Sequence, residues 1–342
     1  MSKASDVFTL KNSNGVEVTF IANGGQITSI KAPNAAGEIA DIVIGYDTVE
    51  KALAGDGYFG ALCGRYANRI IGGKFSIDGQ NFQLDLNNGP NHLHGGFEGF
   101  NSRTWNVQPV HAEHSSQAYK LTLLSPDGDQ KYPGELSVEV IYRLTEDNEF
   151  FIEYTAETTK TTIINLTSHA YFNLKGAGSG TVEDHTLQIM ASRFTPISGE
   201  IETVTGDIVP VKGSAMDFTA LKPIGSACNS NDDQVKLVDG IDHNFVLDDY
   251  DGSLRLAAIL IDPDSGRTLK VFTDQPGIQI YTGSHFDGSE IGKSGAPIIK
   301  WAGLAMETQI FPDSPNKEHF PNALLRPGET YKHTCVYQFG FQ

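Results

Sequence analysis

Along the 342-residue chain, apolar residues alternate with polar ones more often than they recur at helical spacing. The clearest case is residues 135–144. Leu136, Val138, Val140, Tyr142 and Leu144 fall on one face of an extended segment, because strand side chains point alternately to opposite sides. Thr145-Glu146-Asp147-Asn148-Glu149 then turns the chain into the β-rich residues 150–158, so the spacing predicts a pair of long antiparallel strands. Residues 16–22 and 26–32 flank Asn23-Gly24-Gly25, and residues 74–77 and 80–84 flank Asp78-Gly79. Such turn residues reach positive φ at low cost, and each pair reads as a hairpin. Residues 254–261 and 268–272 repeat the arrangement around Asp262-Pro263-Asp264-Ser265-Gly266. Residues 48–54 are the best candidate for a helix.

No repeat, charge block or proline-rich linker divides the chain, and strands do not alternate with helices as in βαβ units. The pattern predicts an all-β protein, a large antiparallel β-sandwich with few short helices, formed as one catalytic domain over residues 1–342. With 42 acidic against 25 basic residues the formal net charge is −17, which opposes binding to nucleic acid or an anionic membrane. No apolar run reaches the ~20 residues a spanning helix needs, and Met1-Ser2-Lys3-Ala4-Ser5-Asp6 lacks the apolar core of a signal peptide. Cys63, Cys228 and Cys335 form no CxxC pair and suggest no disulfide framework. A cytoplasmic protein, monomer or homodimer, is expected.

Candidate chemistry lies in six segments. Asn91-His92-Leu93-His94-Gly95-Gly96 sets two histidines beside glycines that let a ligand approach the backbone. If extended, it puts both rings on one face, so a metal site at His92 and His94 competes with surface histidines and with a single histidine facing a cleft. Gly64-Arg65-Tyr66-Ala67-Asn68-Arg69-Ile70 places an amide beside a guanidinium, suited to holding hydroxyl oxygens or to an ion-paired structural strand. His169, in Thr167-Ser168-His169-Ala170-Tyr171-Phe172-Asn173-Leu174, follows the strand-like residues 161–166, as a catalytic imidazole or a satisfied structural one. Asp242-His243-Asn244-Phe245 and Gln275-Pro276-Gly277-Ile278-Gln279-Ile280-Tyr281 supply groups for vicinal hydroxyls, with turn capping by Asp242 as the alternative. Glu307 interrupts the mildly apolar Leu304-Ala305-Met306-Glu307-Thr308-Gln309, where a carboxylate is costly unless partnered or functional. Gly292-Lys293-Ser294 is no phosphate loop, because Asp287 stands where its first glycine would be.

Taken in order, these segments resemble the aldose 1-epimerase family, also called galactose mutarotases, over nearly the whole chain. Phe311-Pro312-Asp313 and the ending Leu325-Arg326-Pro327-Gly328-Glu329 share the likeness. The resemblance implies an open cleft on a β-sandwich, no metal or organic cofactor, and interconversion of the α and β anomers of a free hexose such as glucose or galactose. It further implies Glu307 as base at the C1 hydroxyl, His169 as acid at the ring oxygen and His94 as a hydrogen-bonding group beside the reacting oxygens. Asn68, Arg69, Asp242 and Gln279 are then expected to hold sugar hydroxyls. Ser168 stands where the family often has Asn, and Met306 where Leu is common. Two rivals stay open: a non-catalytic carbohydrate-binding sandwich, and an epimerase of a hexose 6-phosphate, which needs extra cations in the cleft. Acid and base roles predict a bell-shaped pH profile, with the base limb set by Glu307 and the acid limb by His169.

Overall fold

A computed structural model describes residues 1–55, 57–112, 117–200 and 203–342. The alternating segment forms strand Leu136–Leu144, whose odd positions are exposed or half-buried and whose even positions, all apolar, are buried. It pairs antiparallel with Glu149–Thr158, as the spacing predicts. These are central members of a nine-stranded sheet that continues through Tyr331–Phe341, Arg267–Thr273 and Arg255–Ile261. Each large apolar side chain buried along them contributes roughly 1.5–3 kcal/mol. The hairpin at the start is present as Glu17–Ile21 with Ile27–Pro33, inside a four-stranded sheet with Val7–Lys11 and Ile39–Asp41. At the next hairpin Asp78 and Gly79 have φ of 49° and 81°, the left-handed angles a two-residue turn requires.

A six-stranded sheet runs in the order Tyr171–Phe172, Leu304–Gln309, Gly277–Tyr281, Asp242–Val246, Arg193–Thr195, Val209–Pro210. Register divides it into two faces. Phe245, Ile278 and Thr308 lie opposite one another, as do His243, Ile280 and Met306, and their apolar members join the large sheet's Val140 and Tyr142 in one core. The other face aligns Asn244, Gln279 and Glu307 in one row and Asp242, Tyr281, Ala305 and Tyr171 in the next. The two-residue period therefore explains how a glutamate can sit in an apolar run: Met306 points to the core and Glu307 away from it.

The expected helix is Val49–Ala54, with the Thr48 hydroxyl accepting from Lys51 N at 3.3 Å as its N-cap. Ile224–Cys228 and Asp233–Val238 are helices too, each shorter than the window in which helical periodicity is readable. No helix among the described residues is long and apolar enough to cross a membrane.

Candidate active site

The polar face of the six-stranded sheet forms the floor of a cleft of about 860 Å³. Glu307 enters it from strand Leu304–Gln309. His169 sits where the chain leaves one pairing, Thr167–Ser168 with Leu62–Cys63, for the next, Tyr171–Phe172 with the strand of Glu307. Its main chain is pinned on both sides: His169 N donates to Ala61 O and Gly60 N donates to His169 O, each at 2.9 Å. The imidazole Nε2 lies 3.4 Å from Glu307 Oε1. Glu307 Oε2 and His169 Nδ1 are buried with no hydrogen-bond partner among the described residues. Such atoms are costly in a folded protein and point to a ligand that supplies the missing bonds.

His94 completes the group, its ring centroid 5.2 Å from that of His169. It follows strand Asn91–Leu93 with φ of 50°, a turn out of the strand that swings its ring away from that of His92. The backbone N–H of Asn68 donates to His94 Nδ1 at 3.1 Å. With that lone pair taken, the neutral ring carries its proton on Nε2 and offers a donor.

Opposite lie the residues expected to hold sugar hydroxyls. Arg69 Nε donates to Asn88 Oδ1 at 3.0 Å, and its Nη1 lies 3.5 Å from Asp242 Oδ2. Asp242 opens strand Asp242–Val246 and lines the cleft, so it is not a turn cap. Asn68 lines the cleft as well, its Oδ1 accepting from Arg69 N at 2.8 Å. Gln279 is placed one layer back: 3% exposed and absent from the lining, it donates from Nε2 to Asp242 Oδ1 at 2.6 Å.

Burial dominates the electrostatics. It raises the Glu307 carboxyl well above the usual carboxylate range, aided by the nearby negative charge of Asp242 and opposed by Arg69. It lowers the imidazolium of His169 to about 4, and holds His94 well below its ordinary value with help from His169 and Arg69. Burial thus shifts both Glu307 and His169 toward their neutral forms.

Two expectations need correction. His92 and His94 do not share a face: His92 is fully buried, bonded to Asp85 O and Tyr132 Oη at 2.7 Å each, and both ring nitrogens are used. The glycine after His94 is required by the chain's own packing, since a Cβ on Gly95 would meet Gly64 O at 1.7 Å. The heptad also divides by role. Arg65, 2% exposed, spends its guanidinium on Ser125, Pro126, Pro133 and Gly134, whereas Arg69 faces the cleft. Ser168 Oγ is buried without a hydrogen-bond partner among the described residues and gives His169 no support.

His94, His169 and Glu307 each bring one potential ligand atom within 4.8 Å of the others. The fit to a metal is poor, because His94 Nδ1 already accepts from Asn68 N and Nε2 holds the ring proton. The sequence pattern did not single out Tyr58, whose ring centroid is 4.8 Å from that of His94 and 5.9 Å from that of His169, nearly parallel to the latter at 22°. Its one local signal is the glycine on each side of Tyr58-Phe59, with φ of 55° at Tyr58.

The sequence pattern of the aldose 1-epimerase family matches residues 6–338. Galactose mutarotase of Bos taurus is 41% identical over 327 residues, covering 96% of this chain and 92% of that protein. Aldose 1-epimerase of Escherichia coli (strain K12) is 36% identical over 335 residues, covering 97% and 94%. Among solved structures, an aldose epimerase homologue from C. elegans has a TM-score of 0.90 at 29% identity, with 99% of both chains covered. Galactose 1-epimerase from Lactobacillus acidophilus NCFM has a TM-score of 0.85 at 30% identity, covering 97% of this chain and 93% of that one.

Proposed function

The chain belongs to the aldose 1-epimerase family and is a carbohydrate isomerase of mutarotase type, and from that premise we propose how its cleft works and on what substrate. The substrate is a free hexose such as galactose or glucose, and the chain acts as one catalytic unit. Glu307 takes the proton from the C1 hydroxyl while His169 delivers one to the ring oxygen. The C1–O5 electron pair goes to O5 and the aldehyde forms. Rotation about C1–C2 presents the other carbonyl face, and reversal of both transfers closes the opposite anomer. His94, held as an Nε2–H donor, hydrogen-bonds a reacting oxygen without exchanging its proton. Asn68, Arg69 and Asp242 hold hydroxyls, with Gln279 acting through Asp242.

The observation that carries this reading is the buried pair with a 3.4 Å contact and one unpaired atom on each partner. A binding module needs no acid and base in contact. A phosphorylated substrate is disfavoured, because the two cations along the cleft are already paired, Arg69 with Asp242 at 3.5 Å and Lys236 with Asp233 at 3.6 Å.

Polarimetry on freshly dissolved α-D-galactose and α-D-glucose tests it. The wild-type protein accelerates mutarotation of both. Glu307→Gln and His169→Asn each lose on the order of 10²–10⁴ in kcat. Near wild-type rates in either variant would overturn the assigned roles.

A further inference from the structure

Behind Asp242 lies a second layer of polar side chains that no catalytic role uses. Gln279 Nε2 donates to Asp242 Oδ1 at 2.6 Å. A carboxylate oxygen only accepts, so Gln279 must present its amide nitrogen forward and its Oε1 backward. Gln309 Nε2 lies 3.5 Å from that Oε1 and 3.3 Å from Asn244 Oδ1. Gln309 and Asn244 are both 0% exposed. Each amide orientation is therefore dictated by the one before it, and the direction of the whole chain starts at the carboxylate.

The backbone makes room for this layer. Gln309 lies opposite Gly277 in the register. A Cβ on Gly277 would meet Asn244 Oδ1 at 2.6 Å and the Phe311 ring at 3.0 Å. Glycine at that point leaves space for the Asn244 amide beside the Gln309 side chain.

We propose that Gln309 is a positioning residue for substrate binding: through Gln279 it fixes which oxygen of Asp242 faces the sugar. The amide of Gln309 never enters the cleft, and its lining does not include Gln309. With Gln309 able to donate, Gln279 is anchored at both ends of its amide, by Asp242 in front and Gln309 behind. Without that donor, the buried Gln279 Oε1 has no partner behind it, the side chain is free to shift, and its bond to Asp242 Oδ1 lengthens, so that the carboxylate moves from its place beside Arg69.

The inference rests on Asp242 as a sugar-binding group, and the test separates the two claims. Mutarotation kinetics are measured for Asp242→Ala, Gln309→Met and Gln309→Glu alongside wild type, with thermal midpoints to confirm folding. Gln309→Met is expected to raise KM about three- to tenfold, with kcat within about twofold of wild type. In Gln309→Glu the new carboxyl donates only when protonated, so the ratio of variant to wild-type KM is expected to fall as pH is lowered. A purely structural role of Gln309 would give no such pH trend. A folded Gln309→Met with unchanged KM overturns the proposal. If that variant does not fold, a pH-independent ratio in Gln309→Glu overturns it instead. Unchanged KM in Asp242→Ala overturns the underlying assignment of Asp242, whereas a raised KM there with unchanged KM in Gln309→Met refutes only the relay.

Discussion

His169 and His333 are both fully buried, both flanked by tyrosine rings, and both lowered to about 4 by burial. By burial and titration they are twins. They differ in their hydrogen bonds: His333 uses both nitrogens, on Thr308 Oγ1 at 2.8 Å and Leu166 O at 3.0 Å. Its ring stacks on Tyr154 with centroids 4.6 Å apart. His169 has one nitrogen 3.4 Å from Glu307 and the other unpaired. The two contacts leave opposite faces of a single strand, from Glu307 toward the cleft and from Thr308 toward the core. A shifted pKa alone therefore does not single out His169, nor does an unpaired nitrogen, since His185 is also lowered to about 4 with its Nδ1 unpaired; what sets His169 apart is an unpaired nitrogen together with a place on the cleft against Glu307.

The contrast breaks most sharply in paired variants. His169→Asn is expected to lose most of its kcat while staying folded. His333→Phe keeps the stack but strands the Thr308 hydroxyl and the Leu166 carbonyl, at a cost of about 1–3 kcal/mol. Its thermal midpoint should fall while kcat per folded molecule stays within about twofold of wild type. Equal kcat losses in the two would erase the distinction.

The pH profile sharpens the same point. With His169 held at about 4 and Glu307 raised, the pair keeps one proton from about pH 4 up to the raised value of Glu307. The proposed mechanism needs that proton on His169 and the carboxylate free, a form of equal net charge reached by one transfer across the 3.4 Å contact. Below about 4 a second proton blocks the base; above the raised value of Glu307 the shared proton is lost and the acid with it. The limbs are thus exchanged relative to the expectation from residue types: His169 sets the acidic limb and Glu307 the alkaline one. The kcat/KM of wild type should fall as pH is lowered through about 4, and fall again as pH rises through the raised value of Glu307. An acidic limb near the ordinary histidine value would contradict this assignment.

The smallest effect concerns stability. A carboxyl whose folded pKa is raised above 4.5 stabilises fully below 4.5, and the contribution is lost as pH rises through the folded value. Glu307→Gln removes that loss. Thermal midpoints of variant and wild type should be close at pH 4 and diverge at pH 8, with the variant higher by about 1–2 °C, the shift that roughly 1 kcal/mol gives in a chain of this length. A variant less stable at pH 8 would show that Glu307 is better satisfied than its unpaired oxygen suggests.

Most hairpins were legible because their signals are local: alternation in residues 135–144, and left-handed turn residues at Asp78-Gly79. Glu307 was legible because a charge in an apolar strand is expensive. What escaped depends on register between distant strands. Nothing near residue 279 says that Gln279 lies opposite Glu307 and bonds Asp242 from behind. The spacing of His92 and His94 misled for a local reason, since one positive φ at His94 breaks the alternation on which a shared face depends. Tyr58 covers the two histidines across contacts remote in sequence, and a lone aromatic between glycines carries no periodicity.

The proton on His94 is set by a main-chain group, the N–H of Asn68. Side-chain scanning at position 68 would therefore leave that lock untouched, however much it altered the grip on sugar. Only proline lacks the N–H, and its ring cannot adopt the φ of 65° found there. The tautomer of His94 is thus written into the path of the backbone, where substitution can test the shape of the loop but not delete the bond by itself.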